Sequence, residues 1–246
     1  MRALSTSLSI AMIVAVSLGT NTRGQRETVP FVGCPGNVQG ETTEVPHGKP
    51  QVVIVDAATA GQIAFYESGA TPSGVFAPRG WQCRGWAGSA GGSLLITPGP
   101  IDSTGPAATT GPAVEIEFMD GGTSGRFGVA MYASRLFPKV AAEYIQAVKS
   151  ESILADSEWH RPRASDSVRY ADSVTVEFTT PASKTGIGTE SGLSPSRDAI
   201  RGIAVLENYG DWGMQILWVR LGANRTHLEA AILRLNEQCM HGTRGC

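Results

Sequence analysis

Apolar and polar residues alternate or cluster in short runs along most of this chain, and these runs predict strands more often than helices. Residues 113–119 alternate cleanly, with three apolar side chains on one side and Glu115 and Glu117 on the other, which is the period of two that a strand imposes. Short apolar runs, alternating or continuous, predict further strands at residues 51–57, 62–66, 75–77, 81–86, 93–97, 127–132, 174–179, 203–206 and 214–221. The two glutamates could act as a carboxylate pair, but we expect them to lie on the solvated side of the sheet.

Two stretches show the helical period instead. Residues 138–150 begin at a proline, and residues 226–238 begin with a predicted capping box formed by Thr226 and Glu229. Both stretches carry an apolar stripe on one side. One further helical turn is predicted at residues 194–195. Together these elements predict an α+β fold, an antiparallel sheet with its two main helices packed on one face.

The two parts of the α+β region follow a similar order of elements. Residues 51–150 and 168–240 each lead through strands to Arg135 or Arg220, each followed by a leucine, and then to a helix. The two halves could be related by a remote duplication. A chance recurrence of common strand-to-helix units explains the similarity equally well.

The first 50 residues differ from the rest of the chain. Residues 1–19 are predicted to be a signal peptide. A basic residue precedes an apolar run at residues 8–18, and small residues suited to a cleavage site lie at its end. This run is shorter than the roughly 20 residues that span a bilayer. The alternatives are an uncleaved signal anchor or a buried helix. Residues 20–50, interrupted by glycine and proline, predict an extended arm before the α+β domain of residues 51–240.

The four cysteines are best explained as structural disulfides. An even number of cysteines in an exported chain indicates disulfide pairing, and the sequence contains no CxxC motif for zinc or redox chemistry. We favour the pairs Cys34–Cys83 and Cys239–Cys246, although the other pairings stay open.

The charge of the chain argues against nucleic acid as a partner. The formal net charge is −2 and no segment concentrates basic residues, whereas binding to a phosphate backbone needs a concentrated basic face. Histidines are scattered without ligand spacing, so the sequence predicts neither a metal site nor a cofactor.

One motif offers a catalytic alternative. Residues 87–91, AGSAG, fit the A-x-S-x-G form of a nucleophile elbow around Ser89. The motif requires a helix after the serine, and here the sequence predicts a strand. Asp211 and His227 complete a Ser, Asp, His order, although His227 is better explained as the first helical residue after the Thr226 cap. A serine hydrolase using Ser89 is therefore the second functional hypothesis.

Aromatic residues supply a third hypothesis. Trp81 and Trp86 could form a platform for sugar rings if they are exposed, or they could be core residues beside a disulfide. Trp159 and Arg161 belong to a small basic aromatic segment that could contact an anion or a glycan. The alternative function is a glycan-binding module.

Three phrases of the sequence resemble a known group of proteins. They are APRGWQCRGWAGSAGGSLLITP at residues 77–98, FTTPASKTGIGTESGL at 178–193 and WVRLGANRTHLEAAIL at 218–233. In this order they resemble the motifs of a family of exported bacterial proteins of unknown function. The resemblance implies an envelope or secreted location and brings no catalytic residue. The ending is also similar to PsbP-like α/β/α sandwiches, which bind partners, a likeness of fold alone.

These observations favour an exported, envelope-associated protein, periplasmic or secreted, with a non-catalytic binding or accessory role. We expect no nucleic-acid partner, no cofactor and no membrane span after signal cleavage. A cell-envelope component or a glycan is the expected kind of partner.

Overall fold

The computed structural model describes residues 24–102, 108–159, 165–208 and 210–242. Short strands dominate these residues. The strands are β1 (Gln25–Val29), β2 (Phe31–Cys34), β3 (Gly36–Val38), β4 (Glu41–Thr43), β5 (Gln51–Val55), β6 (Ile63–Ser68), β7 (Val75–Pro78), β8 (Gln82–Gly88), β9 (Gly91–Thr97), β10 (Ala113–Asp120), β11 (Ser167–Tyr170), β12 (Thr175–Thr180), β13 (Ile200–Asn208) and β14 (Trp212–Arg220). The helices are α1 (Ala57–Gln62), α2 (Arg126–Leu136), α3 (Ala142–Ser150), α4 (Asp156–Trp159) and α5 (Thr226–Met240).

Nine of the strands form one sheet in the order β11-β12-β13-β14-β10-β9-β8-β3-β4. Its neighbours are antiparallel except for β3 and β8, which run parallel. A three-stranded sheet has the order β2-β6-β7, and β1 pairs with β5 in an antiparallel ribbon. The predicted combination of helices with a largely antiparallel sheet is confirmed.

The nine-stranded sheet is covered on both faces, because successive side chains of a strand point to opposite sides. Leu94 and Ile96 belong to the core that contains α5, while Leu95 belongs to the core that contains α2 and α3. We refer to these faces as the α5 side and the α2 side. The expectation that both main helices pack on one face is not confirmed, since Ile145 and Val148 of α3 lie in the core opposite to that of α5.

Two predictions of local structure are wrong around the first long helix. Residues 127–132, predicted as a strand, belong to α2. Val129, Ala133 and Leu136 are buried there at helical spacing, so a short apolar window fits both periods and the packing decides between them. The next helix begins at Ala142 and not at residue 138, because a turn precedes it.

The predicted helix starts near the C-terminal part of the chain are also corrected. Residues 194–196 have no regular structure. Thr226 is already helical, and no side chain caps α5. The carboxylate of Glu229 is used elsewhere, accepting a hydrogen bond from the Leu221 N–H at 3.3 Å and pairing with Arg201 at 3.2 Å. The capping box therefore does not form.

The segment between β12 and β13, residues 181–199, lies against the α2 side of the sheet and is called the 181–199 loop below. The Trp218 indole N–H donates to the Ile187 carbonyl at 3.0 Å. The Arg135 guanidinium pairs with both carboxylate oxygens of Glu190 at 2.6 Å. These buried contacts hold the loop over strands that would otherwise face solvent.

A second set of anchors comes from Arg220, which is only 1% exposed. Its guanidinium donates to the carbonyls of Gly111, Ser194 and Thr109 at 2.8, 2.6 and 2.6 Å. One side chain at the end of β14 thus fixes both the 181–199 loop and the residues that lead into β10.

The predicted Cys34–Cys83 disulfide is confirmed. It joins β2 of the three-stranded sheet to β8 of the nine-stranded sheet. Cys246, and with it the predicted Cys239–Cys246 bridge, lies outside the described residues, as does the predicted signal peptide of residues 1–19. No helix within the described ranges is long and apolar enough to cross a membrane.

Replacing both Cys34 and Cys83 by alanine is expected to lower the free energy of unfolding by about 2–4 kcal/mol, because the bridge restricts a loop of sequence separation 49 in the unfolded chain. Urea unfolding measures the change. Reducing agent should destabilise the wild type by a similar amount through this bond. A double variant as stable as the oxidised wild type would contradict the structural role of the bridge.

Candidate functional site

A cleft of about 800 Å³ opens at one end of the nine-stranded sheet, on the α5 side. We call it the sheet-end cleft. It exists because α5 ends at Met240, before the helix has covered the last rows of the sheet. The floor of the cleft is formed by β8, β9 and β10, where Ala87 pairs with Gly92 and Gly92 pairs with Phe118. Small residues at two of these positions leave space that larger side chains would fill.

The lining of the sheet-end cleft is mainly apolar. Its large apolar members are Phe118, Met119, Trp212, Met214 and Met240. Phe118 and Met240 belong to the α5-side core, whereas the other three side chains pack on the α2 side. The Met240 side chain is flexible and polarisable, so it can adapt to ligands of irregular shape. A volume of this size lies within the range of pockets that hold small organic ligands.

Three carboxylates lie on the rim of the same cleft, those of Asp120, Glu207 and Asp211. Asp120 accepts a hydrogen bond from the Gly122 N–H at 2.9 Å, and Glu207 accepts one from the Gln215 side-chain amide at 2.7 Å. Burial is the main cause that raises the pKa of Glu207. The rim is therefore polar, and local contacts hold two of its three carboxylates.

A smaller pocket of about 370 Å³ lies on the α2 side of the β8–β9 hairpin. It is lined by the hairpin turn with Ser89, by Trp86 and Ser93, and by Glu117 of β10. Ser89 lies in a turn between two strands, and its hydroxyl accepts a hydrogen bond from that of Ser124 at 2.9 Å. The two pockets thus lie on opposite sides of one glycine-rich hairpin.

The structure does not bring the three residues of the hydrolase hypothesis together. Asp211 lines the sheet-end cleft, while Ser89 lines the pocket on the other side of the hairpin. His227 is near the beginning of α5 and lies close to the carboxylate of Asp56. No histidine of the described residues lines the pocket that contains Ser89.

None of the five tryptophans presents a fully exposed ring. Trp159 and Trp218 are buried, and Trp81, Trp86 and Trp212 are partly buried. Trp81 packs against the α5-side core, and its backbone N–H donates to the Tyr66 hydroxyl at 3.2 Å. Sugar rings stack on exposed aromatic faces, and these five rings offer limited area for stacking. Arg161 lies outside the described residues.

The indole N–H of Trp86 is an unusual feature of the hairpin pocket. It is buried and has no hydrogen-bond acceptor within the part of the chain that the structure describes. An unpaired buried donor costs free energy. Trp86 therefore differs from Trp218, whose indole N–H is bonded to the Ile187 carbonyl.

The expectation that Glu115 and Glu117 face solvent is wrong. Glu115 is 4% exposed and Glu117 is partly buried, both on the α2 side of β10. Glu115 accepts a hydrogen bond from the Gly192 N–H at 2.8 Å. Burial raises the pKa of each carboxyl to about 7, and their mutual repulsion contributes further at Glu115.

The sequence did not indicate that these carboxyls are buried, because the segment that covers Glu115 is distant in the chain. Gly192, which binds Glu115, follows it by 77 positions. One signal was available. The predicted strand at residues 214–221 is apolar on both faces, so its neighbour in the sheet must also be covered on both faces.

No family model, curated protein or solved structure matches the chain. Among the described residues, no group of three or more His, Cys, Asp or Glu side chains could hold a metal ion. The functional conclusion therefore rests on the sequence and the geometry of this chain.

Glu117→Gln is expected to stabilise the protein near pH 8 and to have little effect near pH 5. The folded pKa of about 7 lies above the ordinary value near 4.5. The folded chain therefore retains a proton that the unfolded chain loses, and stability falls as pH rises between these values. An uncharged amide avoids this loss, so the gain near pH 8 should be on the order of 1–3 kcal/mol.

Urea unfolding at both pH values measures this effect, with Glu143→Gln at an exposed position of α3 as the matched control. A change in stability that is equal at the two pH values would contradict a buried carboxyl with a raised pKa.

Proposed function

We propose that this chain is an exported, non-catalytic binding protein of the cell envelope and that its ligand occupies the sheet-end cleft. The observation that carries the proposal is the cleft itself, about 800 Å³ in volume with an apolar floor and a polar rim. Concave, mainly apolar sites with a few placed polar groups are the usual form of small-molecule pockets.

Export is supported by the Cys34–Cys83 disulfide, because such bonds persist in oxidising compartments outside the cytosol. The apolar segment at residues 8–18 and the resemblance to exported bacterial proteins support the same location. A periplasmic or secreted binding protein agrees with all three observations.

A binding role is supported over catalysis by how the polar groups of the cleft are used. The carboxylates of Asp120 and Glu207 accept hydrogen bonds from Gly122 and Gln215 of the same protein. These contacts hold the rim in place. The hydrolase and glycan-binding hypotheses receive less support, since Ser89 lies apart from Asp211 and His227 and the tryptophan rings are partly or fully buried.

The frame of the cleft favours binding without large rearrangement. Its floor consists of paired strands β8, β9, β10 and β14, and one wall is the end of α5. A site that exists before the ligand arrives loses less conformational entropy on binding. This preorganisation is what a carrier or accessory protein requires.

Gly213→Leu should weaken binding of the uncharged fluorophore phenylnaphthylamine by about tenfold or more, because the new side chain would occupy the cleft. A Cβ at Gly213 would meet the Met119 carbonyl oxygen at 3.4 Å and a Glu207 carboxylate oxygen at 3.9 Å, which are ordinary contacts. We therefore expect the variant to fold. Fluorescence titration of the full mature chain measures the affinity.

The matched control is Gly61→Leu in α1, where an added Cβ meets nothing within 4 Å and which does not line the cleft. This control should bind like the wild type. Failure of the wild type to bind the fluorophore, or equal binding by the folded Gly213→Leu variant, would overturn the proposed function.

A further inference from the structure

The charged side chains on the rim of the sheet-end cleft carry one sign. Asp120, Glu207 and Asp211 are acidic, and none of the described residues that line the cleft is lysine or arginine. Charges of one sign around a concave, low-dielectric site concentrate their field in the cleft. An anion that entered would meet three carboxylates with no counter-charge among the described lining.

The position of α5 adds to the same field. The helix has 15 residues and ends at Met240, and Cys239, Met240 and Gly242 all line the cleft. The C-terminal end of a helix carries partial negative charge, because its last carbonyls lack partners within the helix. The wall formed by α5 therefore favours a positive charge, as the rim does.

Local hydrogen bonds orient two of the three rim carboxylates. Glu207 is fixed by Gln215, and Asp120 is fixed by the turn at Gly122. A carboxylate that is already oriented gains more from an ion pair than a mobile surface group does.

The apolar part of the lining restricts the ligand further. Phe118 contributes an aromatic ring and Met240 a flexible thioether, and both side chains belong to the α5-side core. A small hydrated metal ion would make no use of these groups. The phenyl ring of Phe118, in contrast, can attract an organic ammonium group.

We infer that the ligand of the sheet-end cleft is an organic cation, an ammonium group attached to an apolar body. The ammonium binds at the rim formed by Asp120, Glu207 and Asp211, and the apolar body lies against Phe118 and Met240. This inference rests on the proposed function, because it names the class of ligand for the same cleft.

Three probes of similar shape test the inference by calorimetry on the mature chain at low ionic strength and about pH 8. They are phenylbutylammonium, phenylbutanol and phenylbutyrate, which carry positive, zero and negative charge. We expect the ammonium to bind about tenfold more tightly than the alcohol and the carboxylate to bind most weakly.

The variant Asp120→Asn/Glu207→Gln/Asp211→Asn removes the charges and keeps the acceptors that Gly122 and Gln215 use. It should lose the preference for the ammonium over the alcohol. The control Glu41→Gln/Glu44→Gln/Glu143→Gln removes the same total charge from exposed positions that do not line the cleft, and it should keep the preference.

The outcomes separate this inference from the proposed function. If the alcohol and the ammonium bind with equal affinity, the cleft binds ligands but the charge preference is overturned. A preference that the distant control loses to the same extent would assign the effect to net charge and would also overturn it. Failure of all three probes to bind would overturn the proposed function together with the inference.

Discussion

The buried guanidinium of Arg220 is the interaction on which the arrangement of this protein depends. A charge removed from water is tolerated only when its hydrogen bonds are satisfied. Arg220 meets this requirement with three backbone carbonyls, those of Thr109, Gly111 and Ser194. Burial lowers its pKa, and Asp198 partly offsets this effect. The residues that supply these carbonyls must therefore stay where they are, and two separate segments are fixed to the end of β14.

Fixing these segments determines what the α2 side of the sheet can contain. The 181–199 loop brings the Gly192 N–H to Glu115 and the Ile187 carbonyl to Trp218. The ion pair between Arg135 and Glu190 closes the same surface. Polar side chains are buried on this side because the loop supplies partners for several of them. Within the described ranges no comparable loop covers the end of the α5 side, and the sheet-end cleft lies there.

Much of the strand pattern could be predicted, because alternation and turn residues are local properties. The strand at residues 113–119, the C-terminal helix and the Cys34–Cys83 bridge are present in the structure. The sequence did not indicate which face each helix covers, since that depends on contacts between distant segments. Helix α2 was not predicted, because its apolar residues fit both the strand period and the helix period over a short window.

The candidate site was less predictable than the fold. The residues of the sheet-end cleft are spread from Ala70 to Gly242 and share no motif. Their position follows from where α5 ends and from glycines at strand positions, neither of which has a distinctive sequence signal. The motif around Ser89 is compact and is therefore recognisable in the sequence. It lies in a hairpin turn that separates two pockets.

The disulfide between Cys34 and Cys83 has a mechanical consequence. Tension applied to the chain from its N-terminal side would first peel β1 from β5, then begin to separate β2 from β6, and so reach Cys34. From there the covalent bond would transmit the load directly to β8. Strands β3 to β7 and helix α1 lie between the two cysteines in sequence and would carry none of that force. One wall of the cleft, at Ala70 and Pro72, belongs to this shielded segment.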